Sequence, residues 1–121
     1  MSEPACPFPH TQLDVFRVAI QLARAAKVAA DRVPRGYRSF ADQLLRAAGS
    51  TVLLIGEGAN RYSVGAKRQR YSEARGECGE VAAAAELLRA LGLLSEPEAE
   101  TLLGLAGRVG AMLTRLLQRL G

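Results

Sequence analysis

The sequence predicts an all-α protein folded as an up-down-up-down antiparallel four-helix bundle. Apolar residues recur at alternating three- and four-residue steps over four long stretches. Short segments holding Pro, Gly or Ser separate those stretches and break the helical pattern. The 49% apolar content comes mostly from Ala and Leu, with 5% aromatic residues and no Trp, a composition that favours helix. A chain of 121 residues suits one domain with a single core. Connections this short make successive helices antiparallel neighbours.

Residues 1–12 contain Pro4, Pro7 and Pro9. Prolines at this density forbid a helix and leave a flexible, extended arm, with Phe8 as the one residue that could make it a docking peptide. Helix 1 is expected over about 13–32. Val15, Val18, Leu22, Ala25 and Ala29 form one seam, and Phe16, Ala19, Ala23, Ala26 and Ala30 form a second beside it. Pro34 ends it by pushing Val33 out of the α region.

Helix 2, over about 39–60, is the stretch around which the chain is organised. Phe40, Leu44, Ala47, Thr51, Leu54 and Gly58 line one seam, and Leu45, Ala48, Val52, Ile55 and Ala59 line another. Two seams mean that this helix touches more than one neighbour. Ser39 is placed to cap its start. Helix 3, over about 64–91, has the seam Tyr71, Ala74, Cys78, Val81, Ala85 and Leu88, with Ser63 as N-cap and Gly92 in the C-cap role. Helix 4, over about 96–120, opens with a capping box made by Ser95 and Glu98, and Pro97 is tolerated in its first turn.

The charges divide into two groups. Arg46, Glu57, Arg75, Glu77 and Glu80 are expected to form a structural ion-pair network that fixes helix register. Glu77 and Glu80 begin a stripe that continues into Ala84, Leu87 and Leu91, which predicts that it ends in the core. Arg61, Lys67, Arg68 and Arg70 flank the turn between helices 2 and 3, with Tyr62 and Tyr71 among them. A basic cluster with interleaved aromatics can grip phosphates and stack on bases, which makes these four the candidate nucleic-acid-binding residues. The plain alternative is a solvated helix start and one core tyrosine. Lys67 and Arg68 sit near the positive end of a helix, a position that calls for an anion nearby.

Several function classes are excluded. One His and two scattered Cys match no metal or redox spacing, so neither a metal nor another cofactor is expected. No nucleophile–base pair stands out, so an enzyme is not expected. No apolar run reaches the about 18 residues of a membrane span and no secretory signal is visible, which points to the cytoplasm. The net charge of +4, carried by Arg at every basic position but Lys27 and Lys67, permits contact with RNA, DNA or an acidic partner. Glycines recur inside helices 2, 3 and 4, at Gly49, Gly56, Gly58, Gly76, Gly79, Gly104, Gly107 and Gly110. Each costs about 1 kcal/mol relative to Ala, so close helix contact, within or between chains, is expected there.

Three motifs then stand together. Gln43-Leu44-x-Arg46-Ala47-Ala48-x-Ser50 is followed by Ile55-x-Glu57-Gly58-x-x-Arg61-x-Ser63 and by Arg70-Tyr71-x-x-Ala74-Arg75-Gly76-x-x-x-Glu80. Over roughly residues 13–120 the chain resembles the bacterial four-helix-bundle family of intervening-sequence proteins, encoded within large-subunit ribosomal RNA genes. It is similar also to the accessory bundle proteins of diversity-generating retroelements. It departs from the pattern at Leu54, where the family usually has Asn, at Gly56 in place of Ala, and at Glu77 in place of Ser. The resemblance implies a homopentameric ring without enzymatic activity, associated with ribosomal RNA or standing beside a reverse transcriptase. The combined expectation is an oligomeric basic scaffold that binds nucleic acid. The alternative is a structural protein–protein interaction module whose arginines pair with carboxylates.

Overall fold

The computed structural model describes residues 8–121. Its elements are four α-helices, α1 (Asp14–Arg32), α2 (Arg38–Ala59), α3 (Val64–Ala90) and α4 (Glu96–Leu120), with 3-10 turns at Pro9–Gln12 and Arg35–Tyr37 and, among the described residues, no strand. Each helix packs closely on two others, α1 on α2 and α4, and α3 on α2 and α4, while the backbones of α1 and α3, and of α2 and α4, do not approach closely.

Both seams of α2 are used inside the chain, because α1 and α3 flank it. Leu44, Ala47, Thr51 and Gly58 are buried on one seam, and Ala48, Val52, Ile55 and Ala59 on the other. Thr51 is the buried polar side chain of the core, and its hydroxyl donates to the Ala47 carbonyl at 2.8 Å. Leu22, Leu44, Ile55, Leu88, Leu102 and Leu113 supply the bulk of the core, and alanines fill the rest. Small side chains at the helix crossings let the backbones approach closely.

The glycines do not share one explanation. A Cβ on Gly58 would lie 2.7 Å from Cε1 of Tyr71, so only glycine admits the buried tyrosine ring there. A Cβ on Gly56 would make an ordinary 3.8 Å contact with Phe16. At Gly49, Gly76, Gly79, Gly104, Gly107 and Gly110 it would meet nothing. Close approach within the chain therefore accounts for Gly58, not for those six.

The helix ends follow local chemistry. Gly92 takes φ +72 and lets α3 close with paired bonds, Leu93 N–H to the Leu88 carbonyl at 2.8 Å and Gly92 N–H to the Arg89 carbonyl at 3.0 Å. Ser95 and Glu98 form the full capping box of α4. Ser39 does not cap α2. The 3-10 turn at Arg35–Tyr37 runs straight into the helix, which begins at Arg38 and has no side-chain cap. The arm also differs from expectation over its described part. Proline at the first position of a 3-10 turn forfeits no hydrogen bond, so Pro9–Gln12 coils instead of extending. His10 packs on Phe16 at 4.7 Å between ring centroids, and its Nδ1 lies 3.0 Å from the Asn60 amide nitrogen. Phe8 stacks on His10 at 6.0 Å and remains 57% exposed. Residues 1–7 of the expected arm lie outside the described residues.

The α4 cap carries a pH dependence. Burial alone would raise the Glu98 pKa, but hydrogen bonds from the Ser95 backbone and hydroxyl, together with Arg32 at 3.1 Å, hold it below its ordinary value of 4.5. A depressed carboxylate pKa contributes stability that is fully present above the unfolded value and is lost as pH falls through the folded one. Glu98→Gln should therefore lower Tm at pH 7, and the gap to wild type should narrow as pH falls through the depressed folded pKa. Thermal melts over a series of falling pH check this, and a gap that does not narrow as the pH falls would contradict it.

Candidate nucleic-acid interface

The turn between α2 and α3 is short and tightly bonded. Asn60 N–H donates to the Gly56 and Glu57 carbonyls at 3.2 Å each, and its side-chain amide donates back to Gly56 at 2.8 Å. Ser63 Oγ accepts from Ala66 N–H at 3.1 Å and starts α3. Arg61 and Tyr62 stand between these two anchors. Both are exposed. Tyr62 is 103% exposed, and no hydrogen bond or ion pair holds the Arg61 side chain among the described residues.

The other three candidate residues are engaged by the protein itself. Lys67 Nζ donates to the Ala59 and Gly58 carbonyls at 3.0 and 3.4 Å, at the end of α2. Arg68 donates to the Leu120 carbonyl at 3.1 Å, at the end of α4. The negative charge that a basic helix start calls for is thus supplied by the C-terminal carbonyls of neighbouring helices. No outside anion is needed to explain Lys67 and Arg68. Arg70 pairs with Glu73 at 2.7 Å and Glu57 at 3.2 Å. The Glu73 hydrogen bond and charge, then the Glu57 charge, raise its pKa further above the ordinary arginine value.

The expected five-membered ion-pair network separates into two. Arg46 pairs with Glu80 and, at 3.4 Å, with Glu77, and also donates to Gln43. Glu57 joins Arg70 and Glu73 instead. Arg75 belongs to neither group and donates from Nε to Thr114 Oγ1 at 2.7 Å. Helical geometry gives the reason. Arg75 lies about 200° around α3 from Glu77, so it faces α4 together with Arg68, seven residues before it. Leu87 and Leu91 are 44% and 49% exposed, so the Glu77–Glu80 stripe runs along the α2–α3 groove and does not end in the core. The Arg46 side chain is 49% exposed, and solvent screens its pairs far more than a buried network would allow.

Arg115 and Arg119 are the residues that sequence reasoning missed. They lie on the exposed line of α4, four residues apart, and with Gln12, Leu13, Asp14 and Met112 they line an open groove where α1 starts and α4 ends. Like Arg61, they have no ion-pair or hydrogen-bond partner among the described residues. The signal was available: the last turns of α4 sit at the same end of the molecule as the α2–α3 turn. That end carries Arg17, Arg61, Lys67, Arg68, Arg70, Arg115 and Arg119 against Asp14, Glu57 and Glu73. In the other half Arg24, Lys27, Arg32, Arg35, Arg38, Arg46 and Arg89 are balanced by Asp31, Asp42, Glu80, Glu86, Glu96, Glu98 and Glu100. Arg38 is paired with Asp42 there. The basic excess therefore gathers at one end, where Arg61, Arg115 and Arg119 have no partner among the described residues, although Arg35 at the other end and Arg24 and Arg108 in mid-helix have none there either.

The sequence model of the 23S rRNA-intervening sequence proteins matches residues 11–115. The chain belongs to this family. A search of curated proteins returned no match. The family match takes in all of the α2–α3 turn and both ion-pair groups, and it ends at Arg115, with Arg119 beyond it.

For this member of the intervening-sequence family, the remaining polar chemistry is sparse. Among the described residues no group of three or more His, Cys, Asp or Glu side chains is placed to hold a metal ion. Cys78 is buried, donates to the Ala106 carbonyl at 3.2 Å, and has its thiol pKa pushed up by that burial. A thiol so placed is a packing group. No helix among the described residues is long and apolar enough to cross a membrane.

Proposed function

We propose that this chain is a non-enzymatic, oligomeric scaffold that binds nucleic acid through phosphates at one end of an up-down-up-down antiparallel four-helix bundle. The observation that carries the reading is the uneven charge: the basic excess lies at the end that holds Arg61, Arg115 and Arg119, which have no partner among the described residues, while acids and bases balance at the other. Phosphate contacts need exposed, uncommitted cations, and these three arginines are of that kind. The antiparallel arrangement is supported by contacts that join starts to ends, Arg70 to Glu57, Arg32 to Glu98 and Arg68 to Leu120. The family's name favours RNA, ribosomal RNA first, and the cytoplasm is the compartment proposed for it. Service beside a reverse transcriptase rests on the retroelement resemblance alone.

Fluorescence anisotropy with labelled RNA and DNA across a salt series tests this. Affinity should fall steeply with salt, the log–log slope being about −0.7 to −0.9 per phosphate neutralised. Absence of binding to any probe at low salt removes the reading. The alternative, a structural interaction module, then takes its place. It draws on the engagement of Lys67, Arg68 and Arg70 by this chain's own carbonyls and carboxylates.

The oligomer, a homopentamer by resemblance, draws support from the outward glycines. Gly76, Gly79 and Ala83 on α3 are all exposed, and Gly104, Gly107 and Ala111 on α4 repeat their spacing and exposure. In an isolated chain, Ala at each of these glycines should stabilise by up to about 1 kcal/mol, because the added methyl meets open space. In a ring that uses the stripes for close approach, the same methyls would hold subunits apart. Gly76→Ala with Gly107→Ala should thus raise the stability of the isolated chain and shift the assembly to smaller species in light scattering. An unchanged assembly would place the subunit contacts elsewhere.

A further inference from the structure

Tyr62 is an expense that the fold does not explain. It is the most exposed of the large apolar side chains and packs on nothing, whereas Tyr71, nine residues on, is 3% exposed and central to the core. The backbone around it is fixed on both sides, by Asn60 closing α2 and Ser63 opening α3. Its neighbour Arg61 has no partner among the described residues, while Lys67 and Arg68, nearby on α3, are bonded to carbonyls. The tip of the turn therefore presents one free cation and one free aromatic face side by side on a rigid support. Val64, 49% exposed, adds apolar surface next to them.

We propose that the Arg61–Tyr62 tip is a single-nucleotide clamp for single-stranded nucleic acid, with Tyr62 stacking on an unpaired base and Arg61 holding the adjacent phosphate. The clamp rests on the nucleic-acid reading above and gives it a substrate class. Stacking on an aromatic ring needs a base whose face is free. A single strand offers one at every position, whereas a duplex must first be opened at the cost of unstacking. Every base has a π-face, so the tip discriminates strandedness and not sequence. Arg115 and Arg119, at the same end, serve either form of nucleic acid through charge alone.

The test measures the full-length protein against a labelled single-stranded oligonucleotide and a duplex of equal length at low salt. Wild type should favour the single strand. Tyr62→Ala should weaken single-strand binding by about tenfold and leave duplex binding unchanged. Tyr62→Phe should bind like wild type, because the ring face and not the hydroxyl makes the contact. The chain has no Trp, so Tyr62→Trp introduces its single indole, whose emission should be quenched by the single strand and not by the duplex. The clamp is overturned if Tyr62→Ala leaves single-strand binding intact or weakens both probes equally. If wild type binds neither probe, the broader nucleic-acid reading fails and the clamp falls with it. Tyr62 contacts nothing in the fold, so the variant should melt with wild type, and a melt confirms that lost binding is not lost structure.

Discussion

Tyr71→Ala should cost about 3–5 kcal/mol, the range for removing a large aromatic from a packed interior, and lower Tm by roughly 12–20 °C in a chain of this size. The ring is 3% exposed in a core otherwise built mostly from Leu, Val, Ile and Ala, and it lies against the backbone of α2 at Gly58. Burial pushes its phenol pKa up. The glycine and the ring form a matched pair. Gly58→Ala alone would set a Cβ 2.7 Å and 2.8 Å from two ring carbons that cannot retreat. Overpacking of this kind costs about 1–3 kcal/mol, against which the better helix propensity of Ala returns about 1 kcal/mol. In the Tyr71→Ala background the clash is gone, and Gly58→Ala should become neutral or stabilising. A double-mutant cycle by urea denaturation reads this sign change as a coupling energy. Costs that simply add would mean that something other than Tyr71 excludes a side chain at Gly58.

Periodicity exposed the helices because each buries a stripe, and a stripe repeats in sequence. The seams of α2 are an example: their spacing required neighbours on two sides, and α1 and α3 are those neighbours. The same observation does not demand a second chain, since one chain covers both seams. Glycine was harder to read, because its absent side chain leaves no sign of what fills the space. Gly58 faces a tyrosine ring, and Gly76 faces nothing. The ion pairs were misgrouped for a related reason. Arg75 and Glu77 are two residues apart in sequence yet on opposite faces of α3, a separation visible only when each charge is assigned an azimuth. Lys67 and Arg68 were read against the positive end of their own helix. What decided their role was the negative ends of α2 and α4, which come from residues 8 and 52 positions away.

Those engagements divide the basic end into cations that hold the fold and cations that are free, and charge reversal should separate the two sets. Arg61→Glu with Arg119→Glu should lower affinity for a single-stranded probe by more than about tenfold at low salt and reduce the magnitude of the salt slope by about two contacts. Both side chains are exposed and unpartnered among the described residues, so stability should move by no more than about 1 kcal/mol for the pair, most of it from a carboxylate placed in the last turn of α4. Lys67→Ala and Arg68→Ala should do the reverse. Each removes a charged donor from carbonyls at a helix end, and Tm should fall by an amount corresponding to about 1 kcal/mol per substitution. Their effect on binding should be small, because the lost cation was already committed. Anisotropy and thermal melts on the same four proteins give the comparison. Equal loss of affinity in both sets would mean that the carbonyl contacts of Lys67 and Arg68 are surrendered when phosphate arrives. Loss confined to Lys67 and Arg68 would overturn the assignment of Arg61 and Arg119 as the residues that meet nucleic acid.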